Sequence, residues 1–176
     1  MSDFVLGIDP GNEISGAILI RSDDRAVVTV WPGVNNEELL RWVVMTRYQQ
    51  DRREGGTVEV AIEMISSYGM AVGRTVFQTC VWVGRFQQAF GVAELIERKD
   101  CMLNICNSRS AKDANIRRAL LDRYPETGGG RTKEVGTKAQ PGPLYGVSRH
   151  AFSALAVAHT HLDIIGGLYT PAVSRG

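Results

Sequence analysis

Short blocks of apolar residues, separated by turn-forming residues, dominate the first third of the chain. Apolar and polar residues alternate within some of these blocks, and β-branched residues are frequent, as is typical of β-strands. Strands are predicted over residues 4–8, 14–20, 25–31, 57–63 and 92–97. Pro10-Gly11 indicates a turn after the first strand, and Asp23-Asp24 indicates a hairpin between the second and the third.

Helical spacing of apolar residues appears between these strands and after the last one. Helices are predicted over residues 35–53, 74–90, 110–124 and 148–163. The first has capping-box spacing at Asn35 and Glu38, and the third at Ser110 and Asp113. A short extended segment is predicted over 102–106 and a flexible polar loop over about 126–146. This order of elements predicts one α/β domain spanning residues 1–176, with a mixed five-stranded sheet flanked by helices.

The predicted helix over residues 74–90 carries apolar side chains around nearly its whole circumference. A helix that is apolar on all sides must be buried on all sides. In a chain of this size, one side facing the core and another facing a second subunit satisfies that requirement, which predicts a homodimer through this helix. A central core helix within one subunit is the alternative.

The composition indicates an ordinary globular protein. The chain has 176 residues, of which 44% are hydrophobic, and this excludes disordered and collagen-like classes. No uninterrupted apolar run reaches the ~18 residues that a membrane-spanning helix needs, and the N-terminus lacks the pattern of a secretory signal. Cys80, Cys101 and Cys106 are odd in number and show no metal-binding spacing, so we expect reduced thiols and a cytoplasmic location.

Charge is distributed unevenly along the chain. Residues 1–97 hold eight basic and thirteen acidic side chains, whereas residues 98–149 hold eleven basic and five acidic ones. Sixteen of the twenty basic residues are arginine, which suits bidentate contacts to phosphate. The basic stretch favours a nucleic-acid partner, although a solvated surface would have the same composition.

Two acidic residues, Asp9 and Glu63, end apolar predicted strands. If these strands are parallel neighbours, the two carboxylates emerge at the edge of the sheet where open α/β proteins place their sites. Carboxylates held close together repel each other unless a cation lies between them, and oxygen ligands suit Mg²⁺ or Mn²⁺. An acid at a strand end that simply faces solvent is the alternative for each residue.

Three motifs in order resemble the RuvC-type Holliday junction resolvases of the RNase H-like superfamily. Gly7-Ile8-Asp9-Pro10-Gly11, followed by Ser15-Gly16-Ala17, is similar to the family's first motif. Val60-Ala61-Ile62-Glu63 is similar to the second, and the segment 154–158, preceded by His150 and Ser153, to the third. The resemblance spans residues 4–163 and implies an RNase H-like fold, with a phage-type relative favoured by the short chain.

The resemblance also implies a set of metal ligands. Asp9 and Glu63 take the places of the family's first aspartate and its glutamate, and His150 and Ser153 take the places of two acids on the last helix. Residues three apart lie on one helix face, so both side chains can point at one ion. Ser153 removes a negative charge from the site, and Asp113 is the nearest spare acid, although the spacing around it predicts helix capping.

Further roles follow from the same resemblance. Lys112 matches the segment in which a basic residue faces the scissile phosphate, and it joins Asp9, Glu63 and His150 in the predicted catalytic set. Arg109, Arg117 and Arg118 are predicted to contact DNA phosphates, together with Lys112. Tyr68 is a candidate for stacking on unpaired bases, with Met70 close by in the same loop.

The implied activity is a metal-dependent endonuclease that resolves four-way DNA junctions with two Mg²⁺ or Mn²⁺ ions. A homodimer suits a junction with two symmetric strands, and the implied setting is the cytoplasm of a bacterial cell or a phage-infected host. Three alternatives stay open: a non-catalytic junction-binding protein, a YqgF-type nuclease acting on RNA precursors, and half of an actin-like ATPase. The last needs two such halves, and 176 residues hold one.

Overall fold

A computed structural model describes residues 2–52, 56–66 and 72–171. The described strands are β1 (Phe4–Asp9), β2 (Ile14–Arg21), β3 (Val27–Asn35), β4 (Val58–Met64) and β5 (Ala93–Glu97). The described helices are α1 (Asn36–Asp51), α2 (Arg74–Phe90), α3 (Arg98–Cys106), α4 (Asp113–Leu121) and α5 (Arg149–Ile165). Tyr68 and Met70 lie outside the described residues.

The strands form one sheet in the order β3-β2-β1-β4-β5. β1 and β2 are antiparallel, as are β2 and β3, whereas β4 runs parallel to both β1 and β5. The predicted mixed five-stranded α/β sheet is therefore confirmed. The parallel pairing of β1 with β4 places the carboxyl ends of both strands at the same edge of the sheet.

Two apolar cores lie on opposite faces of the sheet. On one face α5 packs with α3 and α4, and Leu155 and Leu120 are fully buried there. On the other face α1 and α2 pack together, with Leu39 and Phe86 fully buried. Side chains alternate across each strand, so neighbouring residues of β1 supply both cores.

Helix α5 lies unusually close to the sheet because two strand residues have no side chain. A Cβ atom added at Gly7 in β1 would lie 2.2 Å from the carbonyl oxygen of Ala154. One added at Gly16 in β2 would lie 2.6 Å from the carbonyl oxygen of His150. Both distances are far below van der Waals contact, so only glycine permits this approach.

The far end of α5 is held by a buried polar cluster around His159. Arg25 and Arg123 each donate a hydrogen bond to Nδ1 of His159, at 3.1 and 3.3 Å, and each also pairs with Asp163. The hydroxyl of Tyr124 donates to the carbonyl oxygen of Arg25, so Nε2 of His159 donates to that hydroxyl. Burial, together with these arginines, lowers the pKa of His159 to about 3, which keeps the ring neutral.

Three predicted elements differ from the structure. Residues 102–106 belong to α3 instead of an extended segment, because Cys101 and Ile105 share one buried helix face. The third strand extends to Asn35, beyond the predicted residue 31, because it pairs with β2 as far as Ile14. Helix α4 begins at Asp113, three residues after the predicted start, and Asp113 is not its cap.

Helix α2 is buried on one side only within the subunit. Val83, Phe86 and Phe90 face the core, whereas Phe77 and Val81 are 61% and 62% exposed. The alternative prediction, a central core helix within one subunit, is therefore wrong. The exposed apolar side chains of Phe77 and Val81 are not covered within the subunit, so the predicted homodimer through this helix stays a prediction.

The segment 126–146 folds back on itself in hydrogen-bonded turns. The amide of Gly128 donates to the carbonyl of Lys133, and the amide of Gly142 donates to that of Val135. Leu144, near the end of the segment, is fully buried in the core beside α5. The segment is thus tied to the domain at its end, while its predicted flexibility stays a prediction.

Cys80, Cys101 and Cys106 are all free thiols. Burial raises the pKa of Cys101 to about 12, so this thiol stays protonated. Of the helices in the described ranges, none combines the length and apolar character that crossing a membrane requires.

The first prediction concerns the close approach of α5. Gly7→Ala should lower the free energy of unfolding by ~1–3 kcal/mol, because the new methyl group overlaps the backbone of α5. The matched control is Gly84→Ala in α2, where an added Cβ meets no atom within 4 Å and alanine favours the helix. Urea unfolding of both variants measures the difference, and equal stability of the Gly7 variant and the unmodified chain would contradict it.

Candidate active site at the end of the parallel strands

Asp9 and Glu63 lie at neighbouring strand ends, as the sequence predicts. Ile8 of β1 pairs with Ile62 of β4, so the following acid of each strand emerges at the same edge. Burial raises the pKa of Asp9 to about 6 and, with the charge of Asp9 adding to it, that of Glu63 to about 7. Mutual repulsion in a site largely closed to water makes this edge favourable for a cation.

The loop that follows Asp9 is fixed by two buried polar side chains. Ser15 donates a 2.6 Å hydrogen bond to the side-chain oxygen of Asn36, and Asn36 donates to the carbonyl of Gly11. The amide of Gly11 in turn donates to the Ser15 hydroxyl. Because these groups satisfy one another, the turn after β1 is held in one conformation beside Asp9.

Helix α5 brings His150 and Ser153 to Asp9. Gly16 pairs with Asp9 across the β1–β2 ladder, and the backbone of His150 lies directly over Gly16. Nδ1 of His150 is 3.5 Å from Oδ2 of Asp9, and Ser153 donates a hydrogen bond to the same carboxylate, which lowers its pKa. Three of the predicted site residues, Asp9, His150 and Ser153, therefore meet.

Arg98 also lies at this site, although no motif in the sequence indicates it. Its guanidinium group lies 3.2 Å from Oε1 of Glu63 and also pairs with Asp113. This positive charge lowers the pKa of Glu63 and of Asp9, opposing the effect of burial. Its position could have been inferred, since Arg98 directly follows β5, which lies parallel to β4 and ends at the same edge.

Asp113 belongs to this site and not to a helix cap. Lys112 precedes the first residue of α4, and its amide donates a 2.9 Å hydrogen bond to the side chain of Asn115. The carboxylate of Asp113 instead faces Arg98, with Arg149 4.0 Å away. The negative charge of Asp113 raises the pKa of both Asp9 and Glu63. The predicted capping role of Asp113 is wrong because the helix starts later than expected.

A cavity of about 390 Å³ lies at this edge of the sheet, and we call it the acid cleft. Its lining residues are Asp9, Pro10, Gly11, Ile14, Arg98, Asp113, Arg149, His150 and Ser153. Lys112 is exposed at the start of α4 and does not line this cleft. Arg117 and Arg118 are exposed on α4, and Arg109 is exposed in the segment between α3 and α4. Their roles in binding DNA stay predictions.

The donor set fits a divalent cation in its chemistry. Two carboxylates and an imidazole are suitable ligands for Mg²⁺ or Mn²⁺, and burial makes the unbalanced negative charge costly. Within the described part of the chain, however, no three His, Cys, Asp or Glu side chains converge closely enough to enclose an ion. Arg98 supplies the positive charge between Glu63 and Asp113.

Comparison with solved structures identifies the fold. Thermus thermophilus RuvC matches at 17% sequence identity with a TM-score of 0.61, over 96% of this chain and 99% of that one. The chain has the RuvC fold. A second RuvC structure from the same organism, in complex with a Holliday junction substrate, matches over the same shares with a TM-score of 0.54. No protein-family model and no curated protein matches the sequence.

The RuvC fold confirms the RNase H-like arrangement expected from the three motifs. At 17% identity the similarity concerns the path of the chain, not the identity of the side chains at the site. The assignment of ligands therefore depends on the distances, burial and charges of the residues described above.

The second prediction uses the raised pKa of Glu63. Because the folded protein holds this proton more tightly than the unfolded chain, ionising Glu63 costs stability as the pH rises from about 4.5 to about 7. In the absence of metal, Glu63→Gln should raise the Tm relative to the unmodified chain by a few degrees at pH 8, and by less at pH 5.

The matched control lies on the same strand. The pKa of Glu59 is lowered, because His161 and Ser2 stabilise its charge, so Glu59→Gln should lower the Tm at pH 8. Thermal unfolding with a chelator present measures both variants. If the Tm difference between Glu63→Gln and the unmodified chain does not grow from pH 5 to pH 8, burial does not raise the pKa of this carboxylate.

Proposed function

We propose that the chain is a metal-dependent, structure-selective endonuclease that hydrolyses phosphodiester bonds in four-way DNA junctions. The observation that carries the proposal is the meeting of Asp9, His150 and Ser153 beside Glu63 at one edge of a RuvC fold. The raised pKa values of both carboxylates support it, since acids buried against each other at a cleft are typical of functional sites.

In this mechanism Asp9, Glu63 and His150 would hold the metal, while Ser153 donates a hydrogen bond to Asp9. Bound Mg²⁺ or Mn²⁺, in two sites, would supply an activated water and stabilise the leaving oxygen. Arg98 limits the repulsion between the carboxylates, and its guanidinium group is suited to pairing with a phosphate oxygen. The imidazole of His150 is exposed and lies 3.5 Å from the carboxylate of Asp9, so both groups face the same proposed ion site.

The proposed substrate is branched DNA. Five of the eleven basic residues of segment 98–149 lie on α3, α4 and the first residue of α5, and two of them, Arg98 and Arg149, line the acid cleft. Arginines on these helices would contact phosphates without reading sequence, as a structure-selective enzyme requires. The RuvC structure that resembles this chain was solved with a Holliday junction, which supports the same substrate class.

We also propose a homodimer through α2 and α1. Phe77 and Val81 of α2 are exposed, as are Val44, Met45 and Tyr48 of α1, and the two helices pack side by side. An apolar surface of this kind is costly unless it is covered. A two-fold axis here would present two acid clefts to the two symmetric strands of a junction. A phage-type origin and a cytoplasmic location remain part of the proposal.

A second candidate function is a junction-binding protein without turnover. Ser153 supplies a neutral hydroxyl where a carboxylate would add charge, and Arg98 already compensates Glu63. Such a protein would bind branched DNA without cutting it in Mg²⁺ or Mn²⁺. Preferential cutting of RNA would instead favour the YqgF-type alternative.

The third prediction tests the metal site. Asp9→Asn should abolish cleavage of a labelled four-way junction in Mg²⁺ or Mn²⁺ while leaving junction affinity nearly unchanged, since it removes a ligand but no phosphate contact. The control is Asp23→Asn, an equal change at an exposed residue of the β2–β3 hairpin. Gel assays of cutting and of binding give the two readouts. Cutting by the Asp9 variant at the unmodified rate would remove this residue from the site.

The fourth prediction tests the interface. Val81→Glu should convert dimers to monomers in analytical ultracentrifugation, because it buries an unpaired charge where the two copies meet. Val28→Glu, on the exposed side of edge strand β3, is the control and should leave the sedimentation coefficient unchanged. A dimer that persists in the Val81 variant would place the interface elsewhere.

A further inference from the structure

The guanidinium group of Arg98 lies between Glu63 and Asp113, at the edge of the acid cleft. Its Nη1 atom is 3.2 Å from Oε1 of Glu63, and its Nη2 atom pairs with Oδ1 of Asp113. Glu63 is one of the residues that would hold the metal in the proposed function, and its side chain is only 13% exposed. A metal ion on the same carboxylate would lie close to this guanidinium group, and the two cations would repel each other. Arg98 and a bound ion therefore compete for Glu63.

The backbone on both sides of Arg98 is held by its neighbours. Glu97, at the end of β5, accepts a 2.9 Å hydrogen bond from the hydroxyl of Ser66. Asp100, two residues after Arg98, is buried and accepts a hydrogen bond from the hydroxyl of Tyr169. These contacts hold the start of α3, whereas the arginine side chain has several rotatable bonds. A rearrangement at this point can therefore be confined to the side chain.

A cavity of about 470 Å³ between α4 and α5 gives this side chain space to turn away from Glu63. Arg98, Asp113 and Arg149 line both this cavity and the acid cleft. The guanidinium group can therefore leave Glu63 without the movement of a helix. Arg149, 4.0 Å from Asp113, then remains to balance the charge of that acid.

Separation of Arg98 from Glu63 is unfavourable unless both groups find new partners. The pair joins a guanidinium group to a largely buried carboxylate, and breaking it leaves that acid without compensation. A metal ion would compensate the acid, and a DNA phosphate would pair with the guanidinium group, whose planar donors match phosphate oxygens. Each ligand alone satisfies one of the two groups, whereas both ligands together satisfy the two. Binding of the metal and binding of the phosphate should therefore favour each other.

We propose that Arg98 is a displaceable counter-ion of Glu63 that couples metal binding to DNA binding. This inference rests on the proposed function and adds a positioning residue to it. In the free protein Arg98 holds Glu63 and keeps the affinity for the metal low. When a phosphate enters the acid cleft, Arg98 pairs with it and Glu63 becomes available to the ion. By linkage, the ion raises the affinity for DNA by the same factor by which DNA raises the affinity for the ion.

The experiment measures this coupling factor without cleavage. Ca²⁺ is the probe because it binds oxygen ligands as Mg²⁺ does, and a denaturing gel checks that the four-way junction stays uncut. Isothermal titration calorimetry gives the Ca²⁺ affinity of the free protein. Fluorescence anisotropy gives the junction affinity in Ca²⁺ and in a chelator, at one ionic strength. We expect Ca²⁺ to raise the junction affinity of the unmodified protein by about tenfold.

Arg98→Gln should change both measurements. Loss of the guanidinium group should raise the Ca²⁺ affinity of the free protein by about tenfold and lower the coupling factor several-fold, because Glu63 is then available without DNA. The matched control is Arg149→Gln, which removes the same charge from the same cleft at a residue that lies 4.0 Å from Asp113. It should keep the coupling factor of the unmodified protein, since a loss of junction affinity in both conditions cancels in the ratio. Circular dichroism checks that each variant is folded.

The outcomes separate this inference from the proposed function. A coupling factor near one in the unmodified protein would overturn the role of Arg98 even if the junction is cut in Mg²⁺. The same conclusion would follow if Arg98→Gln kept the full factor, since Arg98 would then act only as a fixed charge, or if Arg149→Gln lost it equally. The expected pattern without cutting in Mg²⁺ or Mn²⁺ would support Arg98 as the counter-ion and overturn the nuclease.

Discussion

The approach of α5 to the sheet is the constraint on which the site depends. At Gly7 and Gly16 the helix backbone occupies the space of a missing side chain. A helix normally packs on a sheet through side chains on both surfaces, which separates the backbones. Here the hydrogen of glycine lets His150 and Ser153 reach a carboxylate that lies within the sheet itself. Any side chain at these two strand positions would lift the helix away from Asp9.

Charge balance is the second constraint. Asp9 and Glu63 concentrate negative charge where burial limits contact with water, the exposed Asp113 adds to that charge, and Arg98 compensates only part of it. The domain accepts this cost because the apolar packing around the site is extensive, with α5 buried along most of its length. This repulsion destabilises the protein in the absence of a cation, and cation binding would reduce it.

Much of the fold and part of the site could be predicted from local sequence signals. β1 ends at Asp9 and β4 carries Glu63 next to its last residue, and apolar strands flanked by turns give strong sequence signals. Asp9, Glu63 and His150 followed from motifs on β1, β4 and α5. Arg98 belongs to no motif, and its place follows only from the pairing of β5 beside β4. Asp113 was expected to cap a helix, and only its contacts with Arg98 and Arg149 assign it to the site. The start of α4 is predicted three residues too early, because Ser110 and Asp113 have the spacing of a capping box.

The buried cluster around His159 has a consequence for the opposite end of the same helix. Arg25 and Arg123 form ion pairs with Asp163. At ~1.5 Å per residue, Asp163 lies roughly 20 Å from His150 along the helix axis. The ion pairs of Asp163 fix the C-terminal end of α5, and the close contact of His150 with Gly16 fixes its N-terminal end. If the ion pairs of Asp163 were weakened, α5 could rotate about its C-terminal end. A rotation of a few degrees would then displace the His150 imidazole, at the other end, on the ångström scale.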